Sequence, residues 1–84
     1  MKSLGQTLAE CRKERRYKQA DVTKQLKKSF GMDVSVNSLS HWEKDVATPS
    51  ARQLFALCEI YKIANINETF GVYIGHTPIS RLNI

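Results

Sequence analysis

The sequence predicts an all-α, compact domain of five short helices over residues 1–71, followed by a short non-helical tail over residues 72–84. Three observations carry this expectation. Apolar residues recur at three- and four-residue spacing along successive segments, the period of a helix with one buried face. Ser3 with Gln6 and Ser50 with Gln53 have the form of capping boxes, in which each side chain satisfies the other residue's free backbone N–H. At 84 residues and 42% apolar content the chain suits one domain near the lower size limit for a self-supporting core, and is too apolar to stay disordered.

The elements follow in order. Leu4, Leu8, Cys11 and Arg15 place helix 1 between about Ser3 and Arg16. Helix 2 runs from Gln19 to Lys28 with Val22, Thr23 and Leu26 facing inwards. Asp21 in its first turn and Lys27 and Lys28 in its last complement the helix dipole. Ser29 to Asp33 reads as a connector that turns at Gly31, with Phe30 or Met32 tucked against the core. Ser35 caps helix 3, which extends to about Lys44 and buries Leu39 and Trp42 on one face, with Val36 near its edge. Asp45 to Thr48 is a loop, and Pro49 disfavours helix at the residue before it. Ser50 then opens helix 4, whose stripe is Leu54, Leu57, Cys58 and Tyr61. Asn65 with Glu68 starts a short fifth helix carrying Ile66 and Phe70 and ending near Gly71.

Val72-Tyr73-Ile74 has the β-branched and aromatic character of a short strand. With Ile79, Leu82 and Ile84 against the one charge of Arg81, the tail is too apolar for a free end. It either folds back over its own core or pairs with a copy from a second chain. Pairing is the favoured expectation and makes the protein a homodimer.

Charge is unevenly placed. Residues 1–30 carry nine Lys and Arg against Glu10, Glu14 and Asp21, whereas residues 31–84 carry four basic groups against five acidic ones. A one-sided basic field attracts polyanions. The outer face of helix 3 is different in kind: Asn37, Ser38, His41 and Lys44 are short hydrogen-bonding groups and one cation. Solvated helix faces are normally rich in Lys and Glu, so a polar face with little charge suits base edges, where donors and acceptors are matched singly. Together the two features point to nucleic acid.

Other functions find less support. No nucleophile–base pair, metal cluster or phosphate loop is present, and the four glycines are scattered. His41 and His76 have no second ligand at a useful spacing. Cys11 and Cys58 suit buried reduced thiols better than a disulfide framework. The expectation is a non-enzymatic protein with no cofactor and no metal. No apolar run approaches a membrane span or a signal-peptide core, so the expected partners exclude the membrane and the expected location is the cytoplasm.

From about Leu4 to Phe70 the chain resembles the lambda-repressor-like helix-turn-helix family, also called the Cro/C1-type or XRE family. The matching positions are Leu8 and Arg12, Gln19 with Val22, Val34-Ser35, Leu39, Trp42 and Glu43, the Pro49-Ser50 step, and Leu54, Leu57 and Ile63. The resemblance implies a five-helix domain whose third helix lies in the major groove of double-stranded DNA. Val36, Asn37 and His41 then occupy the base-reading places. Lys18, Gln19, Ser35, Ser38, Lys44 and Arg52 are the candidates for contact with the DNA backbone, and Arg12 with Glu43 is a structural ion pair. Arg15, Arg16, Lys24, Lys27 and Lys28 are expected to add diffuse attraction only.

The implied function is a sequence-specific transcriptional regulator, of the phage- or mobile-element-repressor type, acting on an operator. The alternative is a protein-interaction module on the same fold, such as an antitoxin or an adaptor with a protein partner. Three departures from the family pattern stand out. Lys27 to Val34 is roughly six residues longer than the usual tight turn, which extends helix 2, lengthens the turn, or brings Lys27 and Lys28 nearer the phosphates. Thr23 stands in place of an alanine, and Asp45 in place of the glycine after helix 3, where an aspartate tolerates a left-handed turn.

Overall fold

A computed structural model describes residues 2–63. They form four helices: α1 Leu4–Glu14, α2 Gln19–Phe30, α3 Val36–Glu43 and α4 Ala51–Ile60. The described residues thus hold four helices rather than the expected five. The fifth helix and the Val72-Tyr73-Ile74 segment fall outside them.

Each helix starts where a side chain can satisfy the free N–H groups of its first turn. Gln6 N–H donates to Ser3 Oγ at 3.1 Å and Ser3 N–H donates to Gln6 Oε1 at 2.9 Å, closing the capping box of α1. Ser50 and Gln53 repeat the arrangement at α4. Ser35 Oγ accepts from Ser38 N–H at 3.0 Å at the start of α3. At α2 the cap position is Lys18, whose ammonium cannot accept a hydrogen bond. Asp21 compensates from inside the first turn, its carboxylate accepting from Lys18 N–H at 2.8 Å.

The C-terminal ends use the left-handed conformation. Gly31 closes α2 at φ 64°, and Met32 N–H reaches back to Leu26 O at 3.1 Å. Arg16, Asp45 and Lys62 adopt φ near 60° just after α1, α3 and α4, although each carries a side chain. The tertiary contacts made beside these turns hold them in a conformation that non-glycine residues disfavour.

The core is formed by Leu8 of α1, Val22 and Leu26 of α2, Leu39 and Trp42 of α3, and Leu54, Leu57 and Ile60 of α4 with Tyr61 after it. Phe30, Met32, Val34 and Ile63 pack partly buried against its edge. Thr23, expected to face inwards, is only half-buried, and its hydroxyl donates to Ala20 O one turn earlier. Its β-branch sits on the flank of α2, while Val22 and Leu26 form the buried ridge. α3 is packed by both α1 and α2, and α2 also packs on α4. The extra residues between helices 2 and 3 are divided: α2 runs on to Phe30, two residues beyond the expected end, and residues 31–35 form the connector. Cys11 and Cys58 are both free thiols, Cys58 buried and Cys11 half-buried.

Candidate nucleic-acid interface

α3 presents its outward face by simple periodicity. With Leu39 and Trp42 turned into the core, Asn37, His41 and Lys44 fall four and three residues apart on the opposite side. Asn37 and Lys44 are exposed, His41 is half-buried, and Val36 at the first turn is 42% exposed. Of the three base-reading candidates, Asn37 and His41 therefore share the outward face, and Val36 is accessible at the first turn nearer the buried face. The two serines at the start of α3 have distinct tasks. Ser35 Oγ accepts the capping bond from Ser38 N–H and donates its own proton to Ser38 Oγ at 3.1 Å. That leaves the Ser38 hydroxyl with a proton to offer outwards.

The far end of α3 is held by a charged network. Arg12 Nε donates to Glu43 Oε2 at 2.7 Å and Arg12 Nη2 donates to Glu43 Oε1 at 3.0 Å, a two-bond pairing of α1 with α3. Arg12 Nη1 also donates to Tyr17 O at 2.8 Å, so the guanidinium spans α1, α3 and the turn before α2. The hydrogen bonds that Arg12 donates to Glu43 push its pKa up despite partial desolvation, which keeps the guanidinium charged. Gln19 Nε2 donates to the same Glu43 Oε1 at 3.0 Å and joins the start of α2 to the end of α3. Lys18, one residue earlier, is exposed beside this junction.

Arg52 is exposed in the first turn of α4 and faces the 31–34 connector across a shallow depression of about 330 Å³. The expected backbone-contact residues thus form three groups: Ser35, Ser38 and Lys44 on α3, Lys18 and Gln19 at the start of α2, and Arg52 at the start of α4. Arg15 departs from the expectation of diffuse attraction. Its Nε donates to Tyr61 O at 2.9 Å and its Nη2 to Lys62 O at 3.3 Å, which caps the C-terminal end of α4. A guanidinium supplies several donors in a planar fork, so it satisfies carbonyls that the helix leaves free.

Two residues that sequence reasoning did not connect set the position of α3. Asp45, just after it, accepts from Gly5 N–H at 2.9 Å and from the Ser3 hydroxyl, both at the start of α1. Gly5 is buried where a Cβ would stand 2.5 Å from Trp42 O, so only glycine lets α1 approach the end of α3 this closely. These pairs are some forty residues apart in the chain and leave no local pattern.

A helix-turn-helix family model matches residues 8–64, from the second turn of α1 to just past α4. The chain belongs to the Cro/C1-type helix-turn-helix family. No curated protein and no solved structure matches it. Membership makes the protein a helix-turn-helix DNA-binding regulator in broad class. In this helix-turn-helix α2 and α3 are joined through a longer connection, and the Arg12–Glu43–Gln19 network still fixes their relative placement. Among the described residues no helix is long and apolar enough to cross a membrane.

Proposed function

We propose that this protein is a sequence-specific, double-stranded-DNA-binding transcriptional regulator of the phage- or mobile-element-repressor type, which reads the major groove with α3 and acts by occupying an operator. The observation that carries this reading is the outward stripe of α3, Asn37, His41 and Lys44, on a helix locked at one end by the Ser35 cap and at the other by Glu43. Asn37 pairs with an adenine edge through both its amide groups, Val36 meets a thymine methyl, and His41 donates or accepts according to tautomer. Lys18, Gln19, Ser35, Ser38, Lys44 and Arg52 bind phosphates and set the register.

One recognition helix covers only a few base pairs, so two copies on half-sites one helical turn apart supply affinity and length of sequence. We assign the pairing of copies to the apolar segment 72–84. Selection of bound sites from a random DNA pool, followed by footprinting, tests the reading: a two-fold symmetric site protected in the major groove supports it. Recovery of no preferred sequence overturns it.

The second reading, an interaction module such as an antitoxin or adaptor, draws on Phe55, which is 49% exposed on α4 beside Met32 and Ala56. A pull-down that retains its protein partner after nuclease treatment, with no preferred DNA site, favours it over the first.

A further inference from the structure

The lysines of the extended α2 hold a defined place beside the recognition helix. The buried ridge of α2 is Val22 and Leu26, continued by Phe30. One flank, Asp21, Gln25 and Ser29, lines a cavity against Ile60 and Lys62 at the end of α4. The adjoining, exposed side carries Lys24, Lys27 and Lys28, three and four residues apart and therefore on one face. Asp21, the one acid on α2, borders this face at its N-terminal end, three residues before Lys24, while Lys27 and Lys28 occupy the last turn, where the helix itself carries no acid.

The chain itself places that face near the groove. Residues 31–35 lead directly from the end of α2 to the Ser35 cap, the end of α3 that meets base edges in the proposed reading. Lys27 Nζ lies 3.9 Å from Asp33 Oδ1, two residues before that cap, which shows that the lysine reaches the start of α3. Their side chains are 72% and 91% exposed, and a solvated pair at that distance holds the ammonium weakly. A phosphate approaching the start of α3 competes for it on favourable terms. Among the described residues, neither Lys24 nor Lys28 forms an ion pair.

We propose that Lys24, Lys27 and Lys28 form a phosphate clamp on the DNA backbone next to the base pairs under the N-terminal end of α3. This rests on the DNA-binding reading above and replaces diffuse attraction with defined, sequence-independent contacts.

The test measures the salt dependence of binding by the full-length chain to a duplex selected from a random pool and to a scrambled duplex. The variant Lys24→Gln/Lys27→Gln/Lys28→Gln is compared with Lys13→Gln/Arg16→Gln/Lys62→Gln, which removes the same charge elsewhere on the surface. Each phosphate contact adds about 0.9 to the slope of log affinity against log salt. The clamp variant is expected to lose about two to three units of slope, with affinity falling by the same factor on both duplexes. The control is expected to lose well under one unit, and an all-arginine clamp variant to keep the slope. Equal slopes for clamp variant and control, or an unchanged slope in the clamp variant, overturn the proposal while site-specific binding by the wild type leaves the functional reading standing. A wild-type chain that binds neither duplex overturns both.

Discussion

The Asp45 carboxylate, in the left-handed turn that ends α3, accepts a hydrogen bond from Gly5 N–H in the first turn of α1 at 2.9 Å. The C-terminal end of one helix thereby meets the N-terminal end of another, where free carbonyls and free N–H groups carry opposite partial charge. The carboxylate adds a full negative charge at the positive end of α1. The contact, with Arg12–Glu43 a few residues on, sets how α3 is presented.

Replacing Asp45 with Asn keeps a side chain that tolerates the left-handed turn but removes the charge. Stability is expected to fall by about 0.5–1 kcal/mol at low ionic strength, and by less in high salt, where the dipole interaction is screened. Urea unfolding at two salt concentrations measures this. A salt-independent loss assigns the cost to hydrogen-bond geometry instead.

Gly5→Ala is a sharper probe, because its Cβ would stand 2.5 Å from Trp42 O and 2.6 Å from Glu43 O. Alanine gains up to about 1 kcal/mol in helix propensity, but moving two backbone segments apart costs about 1–3 kcal/mol in a packed interior. The balance is expected to destabilise the fold and weaken DNA binding together. A variant as stable as the wild type would show that α1 and α3 are not held this closely in solution.

The Arg12–Glu43 pair has side chains only 12% and 7% exposed. Arg12→Met leaves Glu43 with Gln19 as its remaining partner and is expected to cost about 3–5 kcal/mol, the range for a buried charge left without its counter-ion. Arg12→Met with Glu43→Leu should recover much of the loss. The check is a double-mutant cycle by denaturant unfolding, and zero coupling energy refutes the pairing.

At the proposed interface, Asn37→Ala is expected to cost about 1–3 kcal/mol at the selected site and to relax discrimination at one base pair. Lys44→Ala should weaken every sequence alike and lower the salt slope by about one unit. Quantitative gel shifts on single-base variants separate the two. Equal losses on specific and scrambled DNA for both substitutions reject the division of roles.

Burial pushes the Cys58 thiol up to about 11 from an ordinary value of 9.0, and raises the Tyr61 hydroxyl as well. Both groups are neutral when protonated, so the folded state holds its protons to higher pH than the unfolded chain. The Cys58 contribution is complete below pH 9.0 and is lost as pH rises towards about 11. Unfolding measured across that window should show falling stability, with a shallower decline in Cys58→Ala. An unchanged decline in that variant removes Cys58 as a cause.

The local features of this fold were legible because they depend on residues a few positions apart. Ser3 with Gln6, Ser35, and Ser50 with Gln53 mark three helix starts, and the spacing of Val22 and Leu26 or of Leu39 and Trp42 gives the buried faces. The Arg12–Glu43 pair came from the family resemblance, with no periodicity to suggest it. The departures have a common cause. The added residues after Lys27 allowed three outcomes, and only packing of Phe30 and Met32 against the core, with Gly31 available as a stop, selected a longer α2.

By itself the sequence determined the helical period, the caps, the basic first half and the polar face of α3, since each follows from side-chain chemistry at fixed offsets. Tertiary structure alone decided that Arg15 caps α4, that Asp45 reaches α1, and that Gly5 is required for the approach of α1 to α3. The contacts of Arg15 with Tyr61 and of Asp45 with Gly5 join residues forty or more positions apart. Such residues meet only after the core has collapsed, and nothing in the chain near either partner encodes the meeting.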